Sequence, residues 1–130
     1  MVIDTSAMIA MLLNEASADR LVAAVEADRT RLVPAATVVE ASLVLLGRFG
    51  EPGDSQLDRL LRALGVEVVP VGEDQVVLAR DAALRFGRGR HPAALNFGDL
   101  FSYALAAARD QPLLFVGDDF AKPDVAVAAW

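Results

Sequence analysis

Four short apolar runs, separated by longer stretches that favour helices, set the pattern of this chain. The runs are residues 2–3, 31–33, 66–70 and 113–116. The stretches between them predict helices over residues 7–13, 17–28, 37–49, 54–64, 73–86 and 97–109. Apolar strands that alternate with helices indicate a parallel sheet covered on both faces. We therefore predict an α/β fold, and the length of 130 residues predicts a single domain, residues 1–130.

The remaining segments are expected to connect or to extend these elements. The turn at residues 49–53 is expected to join two helices, and residues 85–92 to form a polar loop. Residues 124–129 are expected to form a short last strand. The most apolar stretch, residues 32–46, is too short to cross a bilayer and contains Glu40, so we assign it to the core.

The charged and reactive residues exclude several classes of protein. The chain has no cysteine and a single histidine, His91, which excludes thiolate chemistry and a multi-histidine zinc site. Its formal charge of -6 argues against nucleic-acid binding through a broad basic surface, so any such contact must be local or metal-mediated. The chain begins without a basic segment followed by an apolar stretch, so we expect a cytoplasmic protein with no membrane association.

Acidic residues recur at the places where the predicted strands end. Asp4 closes the first strand, Glu40 follows the second, Asp99 opens the helix before the fourth, and Asp118 and Asp119 follow the fourth. In a parallel sheet covered by helices these places share one edge, where ligands bind. Carboxylates brought together there repel unless protons or cations neutralise them, and Mg²⁺ takes oxygen ligands. The sequence therefore predicts a carboxylate-lined metal site.

Each acid also has a structural explanation that the sequence leaves open. Asp4 fits a helix N-cap, and Glu40 fits a capping box with Thr37. Asn96 and Asp99 form a second near-capping arrangement. The acids after the fourth strand fit an ordinary turn. Capping and metal binding are compatible, and the coincidence of all these sites at one edge favours chemistry.

Four stretches of the sequence resemble one known family. They are Val2-Ile3-Asp4-Thr5-Ser6-Ala7, the isolated helical Glu40, residues 95–104 with Asn-Phe-Gly-Asp, and residues 113–120 with Gly-Asp-Asp-Phe. In this order they resemble a PIN-domain ribonuclease, specifically the VapC-type toxins of bacterial toxin-antitoxin pairs. The resemblance runs from the first residue to nearly the last.

The resemblance implies a three-layer α/β/α sandwich, a Mg²⁺- or Mn²⁺-dependent endoribonuclease, and a homodimer silenced by an antitoxin protein. By position, Asp4, Glu40 and Asp99 match the first three acids of the family's site. The fourth acid departs from the family's pattern, because many members carry an acid where this chain has Gly117. We prefer Asp119, just before Phe120, with Asp118 as the alternative.

The mechanism that the resemblance implies uses these acids together. Cations held by Asp4, Asp99 and the fourth acid would orient the scissile phosphate and lower the pKa of an attacking water. Glu40 would position or deprotonate that water, or complete a second metal shell. Ser6 matches the family's small hydroxyl beside the first aspartate, and Asn96 caps the helix that carries Asp99. Both would support the metal ligands.

RNA binding is predicted for the one local basic cluster, and its members are Arg85, Arg88, Arg90 and His91. A solvated loop explains these charges equally well. On the helix that Asp99 opens, Phe101 and Tyr103 are expected to pack in or beside the core rather than to stack on bases. Ser102 is expected on the surface of that helix.

Antitoxin binding is predicted for apolar residues of the early helices. They are Met8, Met11 and Leu12 with Leu43 and Leu46. These side chains offer a candidate groove for an amphipathic helix, although taken one by one they fit an ordinary core position better. The acidic cleft is suited to receive a basic residue from the same inhibitor.

Three other functions are compatible with clustered acids on a parallel sheet. A receiver-type phosphoacceptor domain normally has adjacent acids after the first strand and a lysine after a late strand, whereas Asp4 stands alone and Lys122 is the only lysine. A haloacid-dehalogenase-type phosphatase needs a second aspartate where this chain has Ser6. A PIN fold retained only for binding is disfavoured by the intact set of acids.

Overall fold

A parallel sheet forms the centre of the molecule, as predicted. The computed structural model describes residues 1–120 and 123–130, so Lys122 lies outside the described residues. Within them the strands are β1 (Val2–Ile3), β2 (Leu32–Pro34), β3 (Glu67–Val69) and β4 (Leu113–Leu114). They pair in parallel in the order β3-β2-β1-β4, with Val2 opposite both Leu32 and Leu113.

Helices connect the strands along the whole described chain. They are α1 (Thr5–Leu12), α2 (Ala18–Ala27), α3 (Ala35–Phe49), α4 (Glu51–Ala63), α5 (Glu73–Phe86) and α6 (Phe97–Arg109). Among the residues that the structure describes, no helix combines the length and the apolar character that crossing a membrane requires.

Successive side chains of the strands enter two different hydrophobic cores, because side chains alternate between the faces of a sheet. One core lies against α5 and α6 and takes Val2, Leu32 and Leu113. The other lies against α1 to α4 and takes Ile3, Val33 and Leu114. Helices therefore cover both faces, which confirms the predicted three-layer α/β/α sandwich.

The turn between α3 and α4 is tighter than the sequence predicted. Helix α4 begins at Glu51, not at residue 54, because Gly50 alone breaks the helical path with a φ of 65°. Gly53 then lies against α3, and a Cβ at this position would stand 3.0 Å from the carbonyl oxygen of Leu45. The glycines thus end one helix and allow the next to pack closely on it.

Other predicted elements also differ from the structure. Helix α3 begins at Ala35, directly after β2, and not at residue 37. The predicted strand over residues 124–129 is reduced to an isolated parallel bridge between Leu113 and Val127. Only the amide of Ala128 and the carbonyl of Ala126 bond to β4 there, so this segment adds no continuous ladder.

The apolar residues predicted to receive an antitoxin helix separate into two groups. Met8 and Met11 are buried in the core between the sheet and α1 to α4, so this part of the prediction is wrong. Leu12 is partly buried, whereas Leu43 and Leu46 are exposed on α3. The outward face of α3, not the methionines of α1, is available to a partner.

The topology brings four segment ends to one edge of the sheet. Strand β1 runs into α1 at Asp4, and β2 runs into α3 at Pro34. Strand β4 is followed by bends at residues 116–118. Helix α6 leads towards β4 from the opposite direction, so its first turn lies at this same edge.

Candidate active site

Asp4 is held in place by three hydrogen bonds although it is almost completely buried. It is the N-cap of α1, and its Oδ2 accepts from the Ser6 amide at 2.9 Å and the Ser6 hydroxyl at 2.6 Å. Its Oδ1 accepts from the Ser102 hydroxyl at 2.7 Å. A carboxylate has about four lone-pair sites, so Asp4 retains acceptor capacity for one further ligand. The capping explanation for Asp4 is therefore correct and leaves the residue able to bind a cation.

Two hydroxyl groups tie Asp4 to the rest of the edge. Ser6 Oγ accepts from the Val116 amide at 3.1 Å, which joins the start of α1 to the chain just after β4. Ser102 is fully buried, and its Oγ lies 3.3 Å from Thr37 Oγ1 on α3. The expectation that Ser102 lies on the helix surface is therefore wrong. Ser102 follows Asp99 by one helical turn and shares its inward face.

Glu40 reaches the edge from the second turn of α3. Because α3 begins at Ala35, Thr37 lies inside the helix, and the capping-box explanation for Glu40 is wrong. The Glu40 carboxylate instead accepts a short hydrogen bond from the Thr5 hydroxyl of α1. It also lies directly against Gly98 of α6, where a Cβ would stand 2.1 Å from each of its carboxylate oxygens. Glycine at this position is what gives Glu40 room.

Asp99 is fixed by a complete capping box at the start of α6. The Asn96 side chain accepts from the amides of Gly98 at 2.8 Å and Asp99 at 3.1 Å. Asp99 Oδ2 in turn accepts from the Asn96 amide at 2.7 Å. The predicted supporting position of Asn96 is thus realised geometrically, through the backbone of the helix that carries Asp99.

The neighbouring acids change the electrostatics of Asp99. Burial first, and then the charges of Asp4, Asp119 and Glu40, raise the pKa of Asp99 to about 7 against the opposing hydrogen bond from the Asn96 amide. Within residues 1–120 and 123–130, none of these carboxylates forms a salt bridge. The edge therefore concentrates negative charge that the described residues do not compensate.

The two candidates for the fourth acid differ in their effect on the site. Both Asp118 and Asp119 are exposed in the turn after β4. The charge of Asp119 raises the pKa of Asp99, whereas Asp118 is not among the groups that act on it. This difference supports the preference for Asp119, whose role stays a prediction.

A divalent cation fits the chemistry of this donor set. The oxygen ligands are hard, Asp99 Oδ1 accepts no hydrogen bond from the described residues, and the repulsion among the acids is uncompensated. No three acidic or histidine side chains in the described part are already spaced to bind one ion together. Mg²⁺ commonly takes only one or two carboxylates and completes its shell with waters and substrate phosphate, so Asp4 and Asp99 suffice as a starting pair.

The predicted basic cluster does not stay together as one free surface. Arg85 lies in α5, 3.2 Å from Asp81, and it also pairs with Asp124 near the C-terminus. His91 packs edge-on against Phe86 with ring centroids 5.2 Å apart, and its Nδ1 accepts from the Ala93 amide. Both side chains already hold parts of the fold.

Arg88 and Arg90 are exposed like Arg85, but among the described residues they are not held in ion pairs as Arg85 is. Neither forms a salt bridge or a side-chain hydrogen bond within the described chain. Arg88 lines a cavity of about 390 Å³ together with Asn96 and Phe97, at the start of the helix that carries Asp99. Arg88 therefore shares a cavity with the first residues of the helix that carries Asp99.

Comparison with known proteins gives concordant results. The family model described as PIN domain matches residues 1–126. The chain is 52% identical over 129 residues to "Ribonuclease VapC30" of Mycobacterium tuberculosis, covering 99% of this chain and 98% of that protein. It is 49% identical over 126 residues to "Ribonuclease VapC" of Mycolicibacterium smegmatis, covering 97% and 98%.

A solved structure shows the same fold at low sequence identity. It is the crystal structure of Mycobacterium tuberculosis VapC20, described as a toxin that cleaves the sarcin-ricin loop. The two chains superpose with a TM-score of 0.78 at 18% identity, and the match covers 96% of this chain and 95% of the other. The sheet and helices described above are therefore shared by proteins whose sequences have diverged widely.

Proposed function

The chain belongs to the PIN domain family, among the VapC ribonucleases, and from this premise we propose that its acidic edge cleaves RNA with a divalent cation. The protein is an endoribonuclease and the toxin of a toxin-antitoxin pair. We place its action in the cytoplasm. Family membership removes the receiver and phosphatase alternatives, and a PIN fold that only binds RNA is the alternative that a cleavage assay tests.

The burial of Asp99 at one edge with the other acids is the observation that carries the proposal. A carboxylate with a pKa of about 7, surrounded by Asp4, Glu40 and Asp119, is costly to ionise without a counter-ion. A bound cation removes that cost, so metal binding and the ionisation of Asp99 favour each other. This coupling supports Mg²⁺, or Mn²⁺, as the cofactor.

Asp4 and Asp99 would hold the cation, with Asp119 as the third acidic ligand and Asp118 as the alternative. Ser6 and Ser102 orient Asp4 by donating to opposite oxygens of its carboxylate, and Asn96 orients Asp99 through the capping box. When bound, the cation supplies charge neutralisation at the phosphate and a lower pKa for an attacking water.

Glu40 is positioned to handle the proton of that water. Its carboxylate is fixed between the Thr5 hydroxyl and the backbone of Gly98, next to Asp99. It keeps one oxygen free of the bond to Thr5, so it can accept a hydrogen bond from the water and then its proton. General-base catalysis of this kind contributes about 10²- to 10⁴-fold.

Cleavage of RNA under controlled metal conditions tests the proposal. The purified protein, freed of antitoxin and incubated with labelled RNA, is expected to cut internal phosphodiester bonds with Mg²⁺ or Mn²⁺ and to be silent in excess chelator. Activity should return when the metal is restored. Full cleavage in chelator would contradict the metal dependence, and RNA binding without cleavage under any metal would favour a binding module.

For the antitoxin we propose the exposed face of α3 together with the groove that it forms with α1 and α4. That groove, about 480 Å³, is lined by Leu12, Leu45 and Phe49 among others. A basic residue of the inhibitor would reach Asp4 or Asp99 and take the place of the cation. The purified pair should be inactive, and substitution of that basic residue should restore part of the cleavage.

A homodimer is proposed as the active assembly, to be checked by light scattering.

A further inference from the structure

Phe97 is exposed to an unusual extent beside the acidic edge. Its side chain is 76% accessible, the highest value among the exposed large apolar residues of the described chain. It precedes Gly98, the residue on which the Glu40 carboxylate rests, at the first position of α6. Single exposed apolar residues are common and by themselves indicate nothing. The surroundings of Phe97 are what distinguish it.

The Phe97 ring is supported from one side only. Phe101, one turn later on α6, packs edge-on against it with ring centroids 5.0 Å apart and an angle of 73° between the planes. This contact restricts the ring, which lowers the conformational entropy lost when a ligand stacks on its exposed face. Every nucleobase has a flat face that can stack on such a ring without regard to sequence.

A positively charged side chain lines the same cavity as this ring. Arg88 is exposed and lines the same cavity as Phe97 and Asn96. A guanidinium suits a phosphate because its planar fork can donate two hydrogen bonds to it. The cavity thus presents an aromatic face and a phosphate-binding group side by side, which are the two elements of a nucleotide subsite.

We propose that Phe97, supported by Phe101, stacks on a base of the RNA next to the scissile phosphate, while Arg88 binds the adjoining phosphate. This subsite rests on the proposed ribonuclease function and specifies how the strand is held there. It explains how an acidic protein retains RNA, since the stacked base and one arginine replace a broad basic surface. Such stacking is tolerant of sequence, so the subsite sets the register of the strand and not the identity of the base.

The experiment combines a protein variant with a missing base. RNA binding is measured by fluorescence anisotropy in the Asp99→Asn background, which prevents cleavage, with a short labelled single-stranded RNA that the wild-type protein cuts. Phe97→Ala is expected to raise Kd about tenfold, and Phe97→Trp to leave it near the starting value. Val77→Ala serves as the control, because Val77 is also an exposed apolar residue but lies on α5. It should not change Kd.

An abasic scan of the same RNA identifies the stacked base. In the protein that retains Phe97, removal of one particular base should raise Kd about as much as Phe97→Ala does. In the Phe97→Ala protein, removal of the same base should not raise Kd further. Arg88→Gln should lower the slope of log Kd against log salt by about 0.7, the value for one contact to a single strand. Arg88→Lys should restore part of that slope.

Three results would overturn the subsite. One is equal binding by the Phe97→Ala and Phe97-containing proteins. Another is an increase in Kd on Phe97→Ala that stays the same with every abasic RNA, because the ring would then not stack on any of the bases. The third is a change of oligomeric state with Phe97→Ala in light scattering, which would assign the ring to a contact between copies of the chain. By contrast, a wild-type protein that neither cuts nor binds RNA with any divalent metal would overturn the ribonuclease proposal itself.

Discussion

Two aspartates of this molecule, Asp99 and Asp124, have opposite electrostatic environments. Asp124 accepts a hydrogen bond from the Tyr103 hydroxyl at 2.6 Å and pairs with Arg85, and these contacts lower its pKa. Asp99 is buried among other acids, and its pKa is raised to about 7. The first carboxylate has its partners within the fold. The second lacks a counter-charge, and we infer that a cation supplies it.

The comparison separates acids that hold the structure from acids that are available for chemistry. Asp124 joins the C-terminal segment to α5 and α6, and its charge is satisfied there. Asp99 contributes to its helix through the capping box, yet it remains electrostatically unfavourable in the folded protein. A site that costs stability when empty is expected where binding energy from a ligand offsets that cost.

The largest difference in cleavage is expected between the variants in which Asp99 or Asp124 loses its charge. Asp99→Asn should reduce cleavage by at least about 100-fold, since the cation loses a ligand, while the amide oxygen can still accept from the Asn96 backbone. Asp124→Asn should leave cleavage near the wild-type rate and lower Tm by at most about 4 °C. Rates and melting curves of both variants test the distinction. An unfolded Asp99→Asn protein would make Asp99 primarily structural.

The next effect concerns the space that Gly98 leaves for Glu40. In Gly98→Ala the new methyl group would overlap both Glu40 carboxylate oxygens. We expect the Glu40 side chain to move away, while the backbone of α6 stays in place. Cleavage should fall by about 10- to 100-fold with the fold retained. Gly47→Ala is the matched control, because a Cβ there meets nothing within 4 Å, and it should raise stability by up to about 1 kcal/mol.

A double variant shows whether this loss passes through Glu40. Gly98→Ala should reduce cleavage no further in a protein that already carries Glu40→Gln. Independent, additive losses would mean that Gly98 serves the start of α6 in some other way. Circular dichroism of all the variants monitors the fold.

A smaller difference is expected between the two acids that follow β4. Asp119→Asn should lower cleavage by about tenfold, because its charge reaches Asp99. Asp118→Asn, which removes the same charge one residue earlier, should remain near wild type. Steady-state rates at saturating and limiting Mg²⁺ measure both effects. Equal and negligible losses would leave a site of three acids.

The smallest effect is on the pH dependence of stability without metal. The folded pKa of Asp99, about 7, lies above its ordinary value of 3.8, so the folded protein holds a proton that the unfolded chain releases. Its contribution to stability is complete below about pH 4 and is lost as the pH rises through about 7. Asp99→Asn should therefore be more stable than wild type at pH 8 and gain less at pH 5. Melting temperatures in chelator at both values test the sign.

Asp124 should show the reverse dependence. Its lowered pKa means that its contribution is present above the ordinary value and is lost as the pH falls below it. Melting curves of Asp124→Asn and wild type should therefore converge in acid. A parallel pH profile for the two aspartates would contradict the comparison.

The positions of the acids could be predicted from the sequence because the topology of a parallel sheet fixes where strands end. Asp4 and Asp99 needed only that rule to be placed at one edge. The hydroxyl of Ser102 was missed because a serine within a helix gives no local sign of burial, although its spacing from Asp99 put both on one face. Gly98 was likewise recognised only as part of a motif, since its contact with Glu40 depends on how two distant helices pack.

The basic loop was predicted less well for the same physical reason. Arginines close in sequence were expected to act together, but Arg85 finds its partner Asp124 far along the chain. Similarly, the apolar side chains of Met8 and Met11 gave no indication whether they face the core or a partner. Local patterns report which groups are present, while tertiary packing decides which of them are already satisfied.

Titration of the Asp99 carboxyl group by ¹³C NMR, with and without Mg²⁺, tests most directly whether this edge is an uncompensated cation site. In chelator the pKa of Asp99 should lie near 7, far above that of Asp124 in the same spectra. Saturating Mg²⁺ should lower the pKa of Asp99 and leave that of Asp124 unchanged. An Asp99 pKa close to 4 without metal, or one that does not respond to Mg²⁺ or Mn²⁺, would contradict the account.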